Sequence, residues 1–520
     1  MIISFGQSID QSFSKEEMKK DLEIFKEIRI KANSGLYKYR TEKQIDSIYN
    51  WAEYQIGKSC TYIDFYNIIC QLTDFEGSLH NNTFFPKKLK ENLINESNGY
   101  FPYPIKCIDK KWRINFDVGE IPLGAEIISI NDIPISEIVK NLYKYFTTDG
   151  DNITGKQIGI NTHFSKYFRL QYGLINDFKI GFKQINSDKE ENVTVKSISY
   201  LQYYNNFRKR HSKPFDQIYY ADLQENQKYI FKKIDSLTAV LTIYTFDLGN
   251  EKTLEHKNYI TFLENIFSTL ENENFKNLIV DVRQNGGGTD PNDIVTYSYL
   301  TQRNFQENKQ AWISFKKIPF LKYYDTTIPI FLRPFVVRKY NREFQEIFPF
   351  QNNIGYYQDE NSDDHKIRIP NMKAFKGNIY LLISPAVASA GSLFAAMVAG
   401  NENTIVMGEE TMGGYFGHNG HIPIEYKLPN SKISFSFSVV NLEQDVPNKS
   451  TQKFNRGIIP DYEVSQSFAD FIRNEDTLMN YVLEFIKRKK TASSSKRFFI
   501  RNQLKTKTII LYQFIGNTVS

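Results

Sequence analysis

The stretch from Asn277 to Asp290 constrains this chain more than any other. It opens with the apolar run Leu278-Ile279-Val280, continues through Asp281-Val282-Arg283, and breaks into Gly286-Gly287-Gly288. An apolar, β-branched run of this length is a buried strand. Three glycines directly after it remove every Cβ from the turn, so the backbone can take positive φ and another molecule can approach its N–H groups. Such a turn is either a plain exit from a core strand or the cradle of an anion or oxyanion. Taken alone, the plain turn is the better reading.

The flanking pattern sets the fold class. Strand signals at Tyr229-Ile230-Phe231 and from Leu237 to Ile243 precede a helix from about Lys257 to Glu271, and the glycine strand follows. Strand, helix and strand with a crossover this long imply parallel pairing, hence an α/β core. The core resumes after an insertion near 302–370 that is rich in Phe, Tyr and Lys. Asn378 to Ser384 reads as a buried strand, Leu393 to about Ala399 as a helix, Thr404 to Met407 and Ile433 to Val440 as strands, and Glu475 to Lys489 as a last helix.

At 520 residues the chain is too long for one hydrophobic core, so further domains are expected. Ser14-Lys15-Glu16-Glu17 is a capping-box pattern, and Met18, Leu22, Phe25 and Ile28 follow at helical spacing. Two more helices, opened by Thr41 and Thr61, complete an N-terminal helical domain over 1–85. Residues 100–150 switch to short strands and one helix, a module too small to stand alone. Residues 151–228 are a polar, aromatic connecting region, with strands at Phe178–Phe182 and Val193–Val195. The α/β core spans 229–486.

Nine of the 65 basic residues fall in 487–520, which has no acidic residue, leaving 56 basic against 59 acidic in the body. The tail reads as a solvated terminus, and the body has no electrostatic footprint for nucleic acid. No run approaches the roughly 18 apolar residues of a membrane span, so no stable membrane insertion is expected. Cys60, Cys70 and Cys107 show neither metal spacing nor a disulfide framework. No metal or cofactor is expected.

The second informative stretch is Pro385 to Ser392. Ser389 stands between a strand and a helix, flanked by Ala388, Ala390 and Gly391. Small neighbours leave its hydroxyl accessible, and a helix start supplies backbone N–H groups. A serine here can equally be a helix cap. His80, just past the third helix in Gly77-Ser78-Leu79-His80-Asn81, is free to reach a neighbouring cleft, though alone it reads as an exposed loop histidine. Serine, histidine and a glycine loop make an acyl-transfer constellation.

The order of these segments resembles the tail-specific, or C-terminal-processing, serine peptidase family, with its tricorn-core and retinoid-binding-protein-like branch. Asp281 to Gly288 resembles the Asp-x-Arg-x-Asn-x-Gly-Gly segment. Ala388 to Ser392 falls where the family carries its nucleophile in Ser-Ala-x-Glu. Gly408 to Gly414 resembles Gly-Glu-x-Thr-x-Gly, Gly457 to Asp461 the closing Gly-Ile-x-Pro-Asp, and Leu123 to Asn131 a PDZ-like element. The resemblance implies a crotonase-like mixed sheet with helices and a PDZ-like β/α module.

Two departures stand out. No lysine lies near Gly414, about 25 residues after Ser389, so a Ser–Lys dyad is disfavoured, and Ser392 replaces the usual Glu. The tricorn-like branch instead implies His80 as base to the Ser389 nucleophile. Ala390 and Gly287 or Gly288 would hold the oxyanion, Ser78 would orient His80, and Glu443 or Asp445 would supply a carboxylate. His418 and His421 compete for the base role or, with Gly414, line the substrate cleft. A peptide or protein is the implied partner. The resemblance also implies an exported, periplasmic or cell-envelope bacterial protein, although Met1 to Phe5 shows no signal-peptide pattern. The competing expectation is an inactive relative that binds a peptide or a small apolar ligand in the same cleft.

Overall fold

The computed structural model describes residues 8–210, 227–325, 328–329 and 331–489, and the basic tail from 490 onward lies outside the described residues. Two compact units divide the chain, Met1–Glu463 and Val464–Ser520. The second contains the helix Phe468–Arg473, capped by Ser467, and a helical stretch over 477–489.

The glycine strand is central to a six-stranded sheet in the first unit. Asn277–Asp281 lies between Thr238–Ile243 and Asn378–Ile383, parallel to both. Thr404–Gly408 and Tyr462–Glu463 extend the sheet in parallel, and Tyr229–Asp235 closes the other edge antiparallel. Every residue of Asn277–Asp281 is buried, as its apolar run predicts. The crossover helix Leu254–Asn272 starts at Thr253, whose side chain accepts from the His256 N–H. It packs Tyr259, Leu263, Phe267 and Leu270 into the same core as Leu278 and Val280.

A second sheet is built on the long strand Ser434–Gln444, which pairs with Asn82–Phe84, Asn308–Ile313 and Asn419–Lys427. The insertion therefore contributes a strand, Asn308–Ile313, and carries the helix Arg333–Ile347. The three N-terminal helices Lys15–Ala32, Glu42–Lys58 and Tyr62–Phe75 pack directly on this sheet, Phe25 against Phe435 with ring centroids 4.6 Å apart. Thr41 and Thr61 both close full capping boxes.

A third, antiparallel sheet runs Ile105–Ile108, Lys111–Ile114, Glu126–Ile130, Asp177–Lys183, Glu190–Lys196. Its last two strands come from the connecting stretch, which also forms the helices Thr154–Tyr172 and Tyr200–Arg210. No helix among the described residues is long and apolar enough to cross a membrane.

Candidate active site

Ser389 follows strand Asn378–Ile383 and precedes the buried helix Ala390–Ala399. Its side chain makes no capping bond. Its Oγ lies 3.1 Å from His80 Nε2 instead. The Ser389 backbone sits at φ 51°, ψ −135°, a region that L-residues avoid. Ser392, fully buried, donates its hydroxyl to the Ser389 carbonyl at 2.8 Å and so braces this turn.

The glycine loop abuts the serine. A Cβ on Gly287 would stand 2.7 Å from Ser389 Cβ and 3.1 Å from the Ala390 nitrogen, and Gly287 has φ 115°. Asn285, buried at the turn, shapes the loop. Its Oδ1 accepts the Gly287 N–H at 2.9 Å, and its carbonyl accepts the Ala388 N–H at 3.2 Å. The Gly287 N–H is thus engaged inside the loop. The Ala390 N–H opens a helix and has no intrahelical acceptor. Gly288 lies against Phe246 in a parallel bridge so close that a Cβ would meet the Phe246 carbonyl carbon at 2.0 Å. The neighbouring groups, Gly287 O and Thr289 N–H, both bond Phe246. By the alternation of extended backbone, the Gly288 N–H points away from that residue.

His80 is held by its flanks. Asp149, 1% exposed, accepts the Leu79 N–H and the Gly414 N–H, each at 3.0 Å. Burial pushes the Asp149 carboxyl up to about 7, against the lowering effect of these two bonds and of Lys38. Thr147 Oγ1 donates to the Asn81 carbonyl at 2.8 Å. Glu76, at the helix end, is ion-paired with buried Arg29 and accepts from Asn81 Nδ2 at 2.9 Å and Asn33 Nδ2 at 3.1 Å. Burial pushes His80 down to about 4, and the nearby His421 adds to this. The Asn419 backbone favours the charged ring but makes no hydrogen bond of good geometry to it. His80 is therefore neutral at pH 7.

His418 packs against His80, ring centroids 4.8 Å apart, and burial drives it well below its ordinary value. Among the described residues His80 Nδ1 has no hydrogen-bond partner, nor has Ser78 Oγ. Neither expected carboxylate bonds His80: Glu443 pairs with Lys309 at 2.6 Å and Asp445 with Arg303 at 2.8 Å. His421, in the strand Asn419–Lys427, faces Asp290 and Glu307 at 4.0 and 3.7 Å. A cavity of about 560 Å³ lies beside the base loop, lined by Leu79, Asn81, Lys144, Tyr145, His163 and Met412, and includes neither Ser389 nor His80.

The remaining motif residues do architectural work. Glu410 pairs with Arg456 and accepts the Gly457 N–H at 2.8 Å, and Thr411 Oγ1 accepts the Ile458 N–H at 2.8 Å. Asp461 accepts the Val406 N–H at 2.8 Å. Met412 and Gly413 donate their N–H groups to the Val387 carbonyl, tying this loop to the serine turn. Asn285 and Asp149, to which sequence reasoning gave no role of their own, hold the two halves of the site. Asn285 was within reach through its place in the glycine motif, whereas a lone Asp149 in a polar loop leaves no local signal.

Residues 238–464 match the family model described as Peptidase family S41. Mature CPAF is a similar solved structure, at 13% identity and TM-score 0.52 over 88% of this chain and 94% of that one. Mature CPAF complexed with lactacystin gives 13%, 0.52, 88% and 95%, and the cpaf s499a mutant 12%, 0.55, 88% and 94%. At this identity the likeness is one of fold. No curated protein sequence matches the chain. The glycine loop, the serine turn and the two closing motif segments all fall inside the matched span, which makes this part of the chain similar to peptidase family S41, the tail-specific serine-type peptidases.

Proposed function

We propose that the chain is an endopeptidase in which Ser389 is the nucleophile and His80 the general base. The observation that carries this is the 3.1 Å contact between Ser389 Oγ and His80 Nε2, made by segments 309 residues apart. A neutral imidazole with its hydrogen on Nδ1 presents a lone pair at Nε2 and can accept the serine proton. Oγ then attacks the peptide carbonyl, and the tetrahedral oxyanion is held by the N–H groups of Ala390 and Gly288, Gly287 shaping the loop rather than donating. The imidazolium returns its proton to the leaving amine, and water repeats the cycle on the acyl-enzyme. His418, packed on the His80 ring at 4.8 Å between centroids, limits how that ring can turn, whereas Ser78, whose Oγ bonds no described residue, is not assigned the orienting role. Architecturally the same reading takes the core as crotonase-like, the antiparallel module as PDZ-like, and the N-terminal helices as the domain that delivers the base.

Labelling with a fluorophosphonate probe tests this. The parent chain should label, Ser389→Ala should not, and His80→Ala should label about 10²- to 10⁴-fold more slowly. Unchanged labelling of His80→Ala would move the base elsewhere. A parent chain inert under conditions where a known serine hydrolase reacts would refute the mechanism.

A further inference from the structure

Beyond the serine site, one cluster has the composition of a metal centre. Asp290 leaves the glycine loop, Glu307 leads into the strand Asn308–Ile313, and His421 lies in the strand Asn419–Lys427. One ligand atom of each falls within 4.8 Å of the others. His421 Nδ1 is 4.0 Å from Asp290 Oδ2, and His421 Nε2 is 3.7 Å from Glu307 Oε1. Both separations exceed a hydrogen bond.

The independent observation is at Glu307. Its side chain is 3% exposed, yet among the described residues Oε1 has no hydrogen-bond partner while it faces His421 Nε2, which has none there either. Buried polar atoms are nearly always satisfied. Asp293, fully buried, has both carboxylate oxygens unpartnered as well. A cation between these carboxylates would give the stranded oxygens a partner.

We propose that Asp290, Glu307 and His421 bind a divalent transition-metal ion of the zinc class. One imidazole nitrogen with two carboxylate oxygens suits zinc, cobalt or manganese, whereas calcium and magnesium take all-oxygen sets. Bonds of about 2.0–2.2 Å in a tetrahedron put ligand atoms roughly 3.4 Å apart. With one ligand atom of each within 4.8 Å of the others, the cluster reaches that spacing by closing up to about 1.4 Å, and Asp290, whose side chain is 51% exposed, has the freedom to move. Solvent on the Asp290 side leaves the fourth position to water. The ion would fasten the exit of the glycine loop to two strands of the second sheet, and His421 would act as a ligand rather than as a spare base.

The test is a Co²⁺ titration of the full chain followed by visible absorption, with Zn²⁺ competition and metal analysis of the desalted protein. One ion per chain is expected. Glu307→Gln and Asp290→Asn should each weaken binding at least about tenfold with unchanged circular dichroism, and His80→Ala should bind as the parent does. Because Asp290 is half-exposed, its variant keeps the test open if Glu307→Gln does not fold. No ion on the parent chain, or affinity in both carboxylate variants equal to that of the parent, overturns the proposal. So does binding lost in His80→Ala and kept in Glu307→Gln, which would place the ion on the His80–His418 pair.

Discussion

Ser389→Gly should remove the nucleophile and stabilise the protein relative to Ser389→Ala. Ser389 is held at φ 51°, ψ −135°, a conformation costing a residue with a Cβ on the order of 1–3 kcal/mol. Alanine retains that cost; glycine does not. Glycine gives back roughly 0.5–1 kcal/mol through the greater freedom of its unfolded chain. No capping bond enters the balance, because Ser389 makes none, and both variants lose the His80 contact equally. The net difference is about 1 kcal/mol in favour of glycine, with about 2 kcal/mol as the upper figure. In a chain this large that raises the melting temperature by about 1 °C. Parallel melts of the two unlabelled variants read it directly. A glycine variant that melts at or below the alanine variant would refute the claim that the turn stores strain at its nucleophile.

Gly287→Ala places a methyl 2.7 Å from Ser389 Cβ at φ 115°. Fluorophosphonate labelling should fall by about 10²- to 10³-fold, and near-parent labelling would show that the loop does not close on the serine. With His80 held down at about 4, the acid limb of the labelling rate should lie near pH 4 rather than near the ordinary histidine value. The same shift makes its share of stability present above pH 6.5 and lost as pH falls toward 4. Asp149 works the other way. Its carboxyl is raised to about 7, so its share of stability is present below 3.8 and lost as pH rises through 7. Asp149→Asn should flatten that loss in urea melts at pH 6 and 8. It should also slow labelling, since one amide oxygen cannot accept both the Leu79 and Gly414 N–H groups. Glu76→Ala strands buried Arg29 without its partner and should cost about 3–5 kcal/mol in urea unfolding; a loss under 1 kcal/mol would mean that Arg29 finds water.

The parts of the fold that were legible are those whose signal is local. Asn277–Asp281 is buried along its whole length and carries a continuous apolar run. The first three helices carry their caps in the sequence. The helix Thr154–Tyr172 was not legible. Residues on all its sides are buried, from Ile158 and Ile160 to Phe164, Phe168 and Leu170, so no 3.6-residue stripe survives. Gly155 and Gly159 count against a helix by propensity. They are there for packing, since a Cβ on Gly159 would meet the Phe146 ring at 2.3 Å. The strand Asn419–Lys427 hides behind Pro423 and a register shift between Gly420 and Pro423. At the candidate site, Ser389 and the glycine loop each follow a strand, a position that a sequence can signal. The partners of Glu443 and Asp445 are not signalled in this way, because spacing along a chain does not say which cation a surface carboxylate meets.

The two halves of the site are held by different kinds of bond, and this sets which half is fragile. The serine turn is joined backbone to backbone to the glycine loop through Ala388 N–H to Asn285 O, and to the Gly408–Gly414 segment through Met412 N–H to Val387 O, at the ends of parallel strands in one sheet. Removing any one side chain leaves those bonds in place. The base loop depends on side chains: Glu76 at its start, Asp149 on the Leu79 N–H, and Thr147 on the Asn81 carbonyl. Glu76 ends the third helix while Thr147 and Asp149 share one turn, and each can be deleted by a single substitution. Variants at Glu76, Thr147 and Asp149 should therefore slow labelling by misplacing His80 while leaving the strained serine turn as it is. Ser389→Gly should then gain the same increment over Ser389→Ala in a Thr147→Ala background as in the parent, because both Ser389 variants lack the hydroxyl that meets His80 and Thr147 bonds only the Leu79 and Asn81 carbonyls.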